Sequence, residues 1–281
     1  MFTLIETPED LDILNKELLS RPYIAVDTEF KRKGKKDIKL ALIQVNDSEE
    51  TFIIDCLKIR NANDICSFVS STEVKKIFHS YKEDAEAIFS WTNQILTNVF
   101  DTQLANAFLG GSFSIGYRDL VFNKLDVLID KDETRSNWLK RPLRDSQLDY
   151  AATDVEFLIE IFFEQREALE DTKKADWLNQ EIEHGLSKLF NNIQVNLERS
   201  NVILSKQEEK TFLFRFNKIV DLISTEKEIN NTLLFSKKNQ KDFLRNALNY
   251  GVISACNEMP KWRKELLLKD LNALFGSMKI N

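Results

Sequence analysis

Apolar residues at Leu11, Leu14 and Leu18 recur at helical spacing across residues 9–19, and Pro22 ends that stretch. Tyr23–Val26 then reads as a buried strand that ends in acidic residues. Leu40–Val45 and Thr51–Ile54 read as the next two strands, with the polar residues 46–50 as the hairpin turn between them. Val74–Phe78 is a further short strand, followed by a helix from about Glu83 to Trp91. Residues 101–109 predict a helix stopped by Gly110 and Gly111, and another helix starts over 116–121. After a polar stretch with Pro142 comes one long helix, about Ser146 to Leu169. Three strands in series, then helices interleaved with a further strand, predict an α/β domain with a mixed sheet.

Beyond about residue 170 the strand pattern vanishes. Residues 176–190 carry apolar side chains at 178, 182, 186 and 189, and Leu267, Leu271 and Leu274 have the i, i+4, i+7 spacing of a buried helix face. Ser236 sits where an N-cap would start a helix over 237–249. The polar stretch 191–205 is the expected boundary, giving residues 1–195 as the α/β domain and 200–281 as an all-α domain.

Composition narrows the class. In 281 residues there are only 7 Gly and 4 Pro but 20 Phe, which excludes collagen-like and low-complexity chains and favours a packed, helix-rich protein. No apolar run approaches the ~20 residues of a membrane helix, and Glu6, Glu9, Asp10 and Asp12 near the start argue against a signal peptide. Cys56, Cys66 and Cys256 are too few and too irregularly spaced for a disulfide framework or a zinc site, and with His79 and His184 as the only histidines the reading is a cytoplasmic protein with small buried thiols. The net charge of −6 hides basic runs. Residues 31–39 carry six basic residues and one acidic; 135–144 carry four and none; 236–269 carry eight and three. An acidic chain with such patches can still hold a polyanion, though each run can also be a solvated face.

The candidate chemistry lies in carboxylates. Asp27 and Glu29 are two apart at a strand end, so both point to one face with Cα atoms ~6.5–7 Å apart. Two such acids repel unless a cation lies between them, and hard oxygen ligands select Mg²⁺ or Mn²⁺. Tyr150 and Asp154 are four apart on a helix and share a face, beside the small residues Ala151 and Ala152. Asp84 opens the helix after the 74–78 strand, where a carboxylate also favours the helix dipole.

Taken together, Asp27-x-Glu29, then His79-x-x-x-Glu83-Asp84, then Tyr150-x-x-x-Asp154 resemble the 3′→5′ exonucleases with four acidic residues and a tyrosine. The segments VDTEF (26–30), LALIQV (40–45), DTQLANAFLG (101–110) and 131–158 resemble ribonuclease D in particular, over about residues 20–190. The resemblance implies a ribonuclease H-like fold with two divalent ions, Mg²⁺ or Mn²⁺. Asp27 would bridge both ions, Glu29 and Asp154 would hold the ion that activates water, Asp84 would help hold the second through water, and Tyr150 would orient the attacking water. A histidine is common at the position of His79, near the site but not a ligand. Asp101 is expected to support and cap its helix, Arg135 and Arg141 to place RNA backbone, and Trp138 to belong to the core. Lys31, Lys35 and His79 are further candidate RNA contacts. The implied activity is release of nucleoside 5′-monophosphates from the 3′ end of RNA, in maturation of tRNA precursors and small structured RNAs, by a monomer that needs no membrane.

The chain departs from the family in two places. Lys35, Lys36, Asp37 and Ile38 replace an aromatic and proline segment, which exchanges stacking for charge. Arg144 stands where a Ser or Thr often caps the last catalytic helix, so Asp145 or Ser146 is expected to cap it. Residues 233–248 and 260–275 resemble the helical HRDC module, with room for one copy. Its Lys237, Lys238, Lys241, Arg245 and Arg263 either bind RNA or flank a packing surface. A 3′→5′ DNA exonuclease of the same fold is the near rival. A non-catalytic RNA-binding protein is the distant one, and it predicts loss of a ligand, whereas all four acids are present.

Overall fold

The structure is a computed structural model that describes residues 2–34, 37–59, 62–63, 65–129, 133, 136–190 and 204–277. Six strands form one mixed sheet: β1 (Phe2–Ile5), β2 (Tyr23–Gly34), β3 (Asp37–Asn46), β4 (Thr51–Asp55), β5 (Lys75–Phe78) and β6 (Val99–Asp101). Their spatial order is β1-β4-β3-β2-β5-β6. The β2–β3 and β3–β4 pairs are antiparallel, while β1–β4, β2–β5 and β5–β6 are parallel. The sheet carries α1 (Pro8–Leu18), α2 (Lys82–Thr92), α3 (Thr102–Phe108), α4 (Tyr117–Leu125), α5 (Asp145–Glu156) and α6 (Leu158–Asp171) along the chain. This is the α/β, ribonuclease H-like architecture that the pattern and the resemblance predict.

Four features differ from the sequence reading. The strand expected to end at Val26 runs on to Gly34, because the lysine-rich segment pairs with the start of β3 from Phe30↔Leu40 to Gly34↔Asp37. Asp27 and Glu29 therefore lie inside a strand. The four residues of β1 and the three of β6 are too short to show a period, and both are held by parallel pairing. The single long helix over 146–169 is two, α5 and α6, broken at Phe157. At the break the Tyr117 hydroxyl accepts from Phe157 N at 3.2 Å and donates to Thr153 O at 3.0 Å. Neither Asp145 nor Ser146 caps α5. Arg144 occupies the N-cap, where its backbone N–H donates to the Gln147 side chain at 3.1 Å, while Ser146 Oγ donates to Glu133.

The chain divides into two compact units, Met1–Ala105 with Ser114–Asp171, and Asn106–Phe113 with Thr172–Asn281. The second contains α7 (Ala175–Phe190), α8 (Lys206–Glu226), α9 (Asn231–Phe235), α10 (Lys237–Tyr250), α11 (Val252–Asn257) and α12 (Lys261–Gly276). Helix α7 thus groups with the helical unit, not with the sheet as the expected boundary placed it. The reason is its partners: Trp177 stacks on Trp262 at 5.7 Å, and Glu181 accepts from Trp262 Nε1 and Arg263. Residues 191–203 of the expected linker lie outside the described residues. Phenylalanines 212, 216, 235, 243 and 275, five of the 20, form a continuous aromatic cluster. Leu267, Leu271 and Leu274 are buried, and Ser236 caps α10 by accepting from Asn239 N. All three cysteines are free and buried. Among the described residues no helix is long and apolar enough to cross a membrane.

Candidate active site

Strand alternation puts Asp27 and Glu29 on one face of β2, opposite Gln44 and Leu42 of β3. The ladder shifts by one residue just after Glu29, a bulge of the kind that re-aims side chains beside active sites. Helix α5 packs over β2, β3 and β4. It comes close because its contact residue is Ala151, fully buried with Ala41, Leu42, Ile53 and Trp138. That close approach brings Asp154 onto the strand pair. One carboxylate oxygen each from Asp27, Glu29 and Asp154 lies within 4.8 Å of the others. Tyr150, one turn earlier, donates its hydroxyl to Asp154, and its ring rests against Trp138 at 5.9 Å.

Asp84 adjoins this cluster without joining it. It is buried at the start of α2 and accepts from Thr28 Oγ1 at 2.5 Å. Thr28 is thus a supporting residue that the sequence did not single out. Asp101, as expected, accepts from Leu104 N and so starts α3, and its other oxygen accepts from Tyr81 N ahead of α2.

Burial raises the proton affinity of all four acids, and the charges of neighbouring cluster acids add to it at Asp27 and Glu29. Burial, then the charges of Asp84, Asp154 and Glu29, push Asp27 well above the usual carboxylate range. Burial and the charges of Asp154 and Asp84 push Glu29 up to about 9. Asp154 rises to about 7 through burial, although Arg118 and the Tyr150 hydroxyl oppose it, and Asp84 rises to about 7 through burial against the Thr28 bond. No lysine or arginine pairs with Asp27, Glu29 or Asp154 among the described residues. Three converging carboxylates without a protein counter-ion suit a hard divalent cation.

A cavity of about 440 Å³ opens over the cluster. Asp27 forms its floor, Tyr150 and Asp154 one wall, and Gly116–Asp119 at the start of α4 the other, with His79 between. His79 Nε2–H donates to Ile115 O and Nδ1 meets the Thr102 hydroxyl, both at 2.9 Å. Burial keeps its pKa low, so it is a neutral ring with both nitrogens engaged and no donor left for RNA. Tyr117 and Arg118 were missed by the sequence reading: only the fold brings the start of α4 against α5.

The other candidates separate clearly. Arg141 is not available to RNA. Its Nε and Nη2 grip both oxygens of Asp55 at 2.6 and 2.8 Å, and its remaining donors reach the carbonyls of Trp138, Lys140 and Ala41. Trp138 is core, at 5% exposure. Lys31 is exposed and lines a separate cleft with Phe30 and residues 136–139. Lys237 and Lys238 are exposed in the first turn of α10. Lys35 and Arg135 lie outside the described residues.

Comparison with known proteins agrees with this geometry. The ribonuclease D of Pseudomonas paraeruginosa is 39% identical over 163 residues, which cover 58% of this chain and 43% of that protein. The chain spans less than half the length of the curated relatives it matches best here. The crystal structure of Escherichia coli RNase D, described as an exoribonuclease involved in structured RNA processing, superposes with a TM-score of 0.65 at 22% identity, covering 96% of this chain and 75% of that one. Brucella melitensis NrnC with bound Mg²⁺ gives 0.58 at 19% identity, covering 67% and 90%. These two likenesses are of fold. The family model described as 3′-5′ exonuclease matches residues 2–170, a span that holds every acidic residue of the cavity, and the chain therefore belongs to the 3′-5′ exonuclease family.

Proposed function

We propose that this protein is a metal-dependent 3′→5′ exoribonuclease that trims tRNA precursors and other small structured RNAs to release nucleoside 5′-monophosphates. The observation that carries the reading is the cluster of Asp27, Glu29 and Asp154 without a paired lysine or arginine, beside an open cavity that Asp27 and Asp154 line, in a chain of this family. RNA as substrate rests on the named ribonuclease D relatives.

In this reading Asp27, Glu29 and Asp154 are the ligands of Mg²⁺ or Mn²⁺, with Asp84 adding charge from its place on Thr28. Two bound ions would supply an activated hydroxide and neutralise charge on the leaving 3′-oxygen. The chain's own residues do the rest. The raised proton affinity of the acids makes ion uptake a proton release, so uptake strengthens as pH rises. Tyr150, fixed by its ring contact with Trp138 and its bond to Asp154, orients the water at the cavity wall. His79 and Tyr117 hold that wall in place. Lys31, Lys237 and Lys238 supply exposed charge for the RNA backbone. The buried free thiols suit a reducing cytoplasm, and the protein acts as a monomer.

The test is digestion of a 3′-extended tRNA precursor with Mn²⁺, Mg²⁺ or EDTA, beside Asp27→Asn and a matched DNA strand. The expected result is a one-nucleotide ladder from the 3′ end of RNA, dependent on metal and on Asp27. A preference for DNA would replace the substrate, and the absence of any ladder would leave a binding protein.

A further inference from the structure

Arg118 is the second residue of α4 and stands in the wall of the acidic cavity. Other arginines of this protein are matched by carboxylates: Arg141 by Asp55, Arg32 by Glu86, Arg144 by Glu133 and Arg263 by Glu181. Arg118 makes no ion pair and no hydrogen bond with a described residue, and its Nη2 is shut from solvent without a partner. Its guanidinium lies over the Tyr150 ring, 5.4 Å from the centroid, near enough to Asp154 to draw that carboxyl's pKa downward. A planar cation is thus held in place by a ring while its donors go unused.

A cavity lined by Asp27 and Asp154, with a Glu29 oxygen within 4.8 Å of both, would be expected to capture such a cation in an ion pair. It does not, and once cations occupy those carboxylates the guanidinium has no acceptor among the described residues. The start of α4 does not compete for an anion, because the Asp119 carboxylate folds back over it, 3.8 Å from where a Gly116 side chain would begin. An unused planar fork beside a metal site matches the oxygens of a phosphate.

From this we infer that Arg118 binds the phosphate of the 3′-terminal nucleotide and positions it over the carboxylate cluster. The inference rests on the exonuclease reading. In a cut that releases a 5′-monophosphate this phosphate leaves with the product, so Arg118 would hold substrate and product through the same oxygens.

The experiment uses the full chain in Mn²⁺, with Arg118→Met, which keeps length and the contact with Tyr150, and Arg118→Lys. Adenosine 5′-monophosphate is the probe, by calorimetric binding and by inhibition of the ladder reaction. Arg118→Met should weaken its binding about ten- to a hundredfold, the loss of one charged hydrogen-bonded pair. It should raise KM for RNA by a similar factor and leave Mn²⁺ affinity and Tm unchanged, and Arg118→Lys should recover part of the loss. Unchanged nucleotide binding in Arg118→Met overturns the inference. So does altered Mn²⁺ affinity with nucleotide binding intact, which would make Arg118 a partner of Asp154 instead. Absence of a ladder from the unaltered protein would fail the exonuclease reading alone, since calorimetry still reads the phosphate contact.

Discussion

Leu42 on β3 has two acidic neighbours on its face of the sheet: Glu29 across the ladder on β2 and Asp55 across it on β4. Their surroundings give them opposite fates. Asp55 is 1% exposed, and Arg141 grips both its oxygens. Its charge is cancelled inside the protein, and the pair clamps the segment before α5 to the sheet. Glu29 shares its space with Asp27 and Asp154 and is paired with no cation of the chain. The comparison teaches that a carboxylate withdrawn from solvent, wholly like Asp55 or half like Glu29, is assigned by its counter-charge, not by its burial. Matched, it is framework; unmatched, it is a place for an ion.

The comparison can be broken most severely at Asp27. Asp27→Asn should lower turnover by about a thousandfold or more, since charge stabilisation by metal is worth several kcal/mol. It should also raise Tm in EDTA at pH 8, because the folded protein no longer has to take up a proton at this carboxyl. Arg141→Met should do the reverse, costing about 3–5 kcal/mol of stability by leaving Asp55 buried and unpaired, with RNA affinity of the folded protein unchanged. Chemical denaturation and filter binding check both halves, and the double variant with Asp55→Leu should recover most of the stability. Tyr150→Phe removes the hydroxyl held by Asp154 and should slow single-turnover cleavage about ten- to a hundredfold with Mn²⁺ affinity little changed. The smallest effect belongs to Lys237→Ala with Lys238→Ala. If both meet RNA phosphates, the slope of log affinity against log salt should fall by about 1.4, with turnover unaltered.

Much of the site was legible because its residues obey short periods. Asp27 and Glu29 show the strand period of two, Tyr150 and Asp154 the helix period of four, and Ala151 advertises a close approach. What escaped depends on partners far along the chain. Arg141 sits in a basic run that looks like an RNA contact, yet its partner Asp55 is 86 residues away. The break at Phe157 has no proline or glycine to announce it and comes from the Tyr117 hydroxyl, 40 residues earlier. The charged residues 31–34 show no strand period beyond the strand expected to end at Val26, and only pairing with β3 reveals that it continues. Arg118 carries no local signal, since its meaning arises only from the cavity it faces.

The central claim is that burial, joined at Asp27 and Glu29 by repulsion from neighbouring acids, raises the proton affinity of Asp27, Glu29 and Asp154 until a cation replaces the protons. Because their folded pKa values are raised, their ionisation penalises the metal-free fold: their contribution to stability is greatest below about pH 4, the unfolded range, and is lost as pH rises through their raised values, up to about 9 for Glu29. The direct measurement is Tm from pH 5 to 9 in EDTA and in Mn²⁺, with the protein unaltered and with Asp27→Asn. The account predicts a Tm that falls with pH in EDTA, a gain from Mn²⁺ that grows with pH, and in Asp27→Asn a shallower fall in EDTA, kept by Glu29 and Asp154, with a smaller Mn²⁺ gain. A Mn²⁺ gain that is absent, independent of pH, or equal in Asp27→Asn would contradict it.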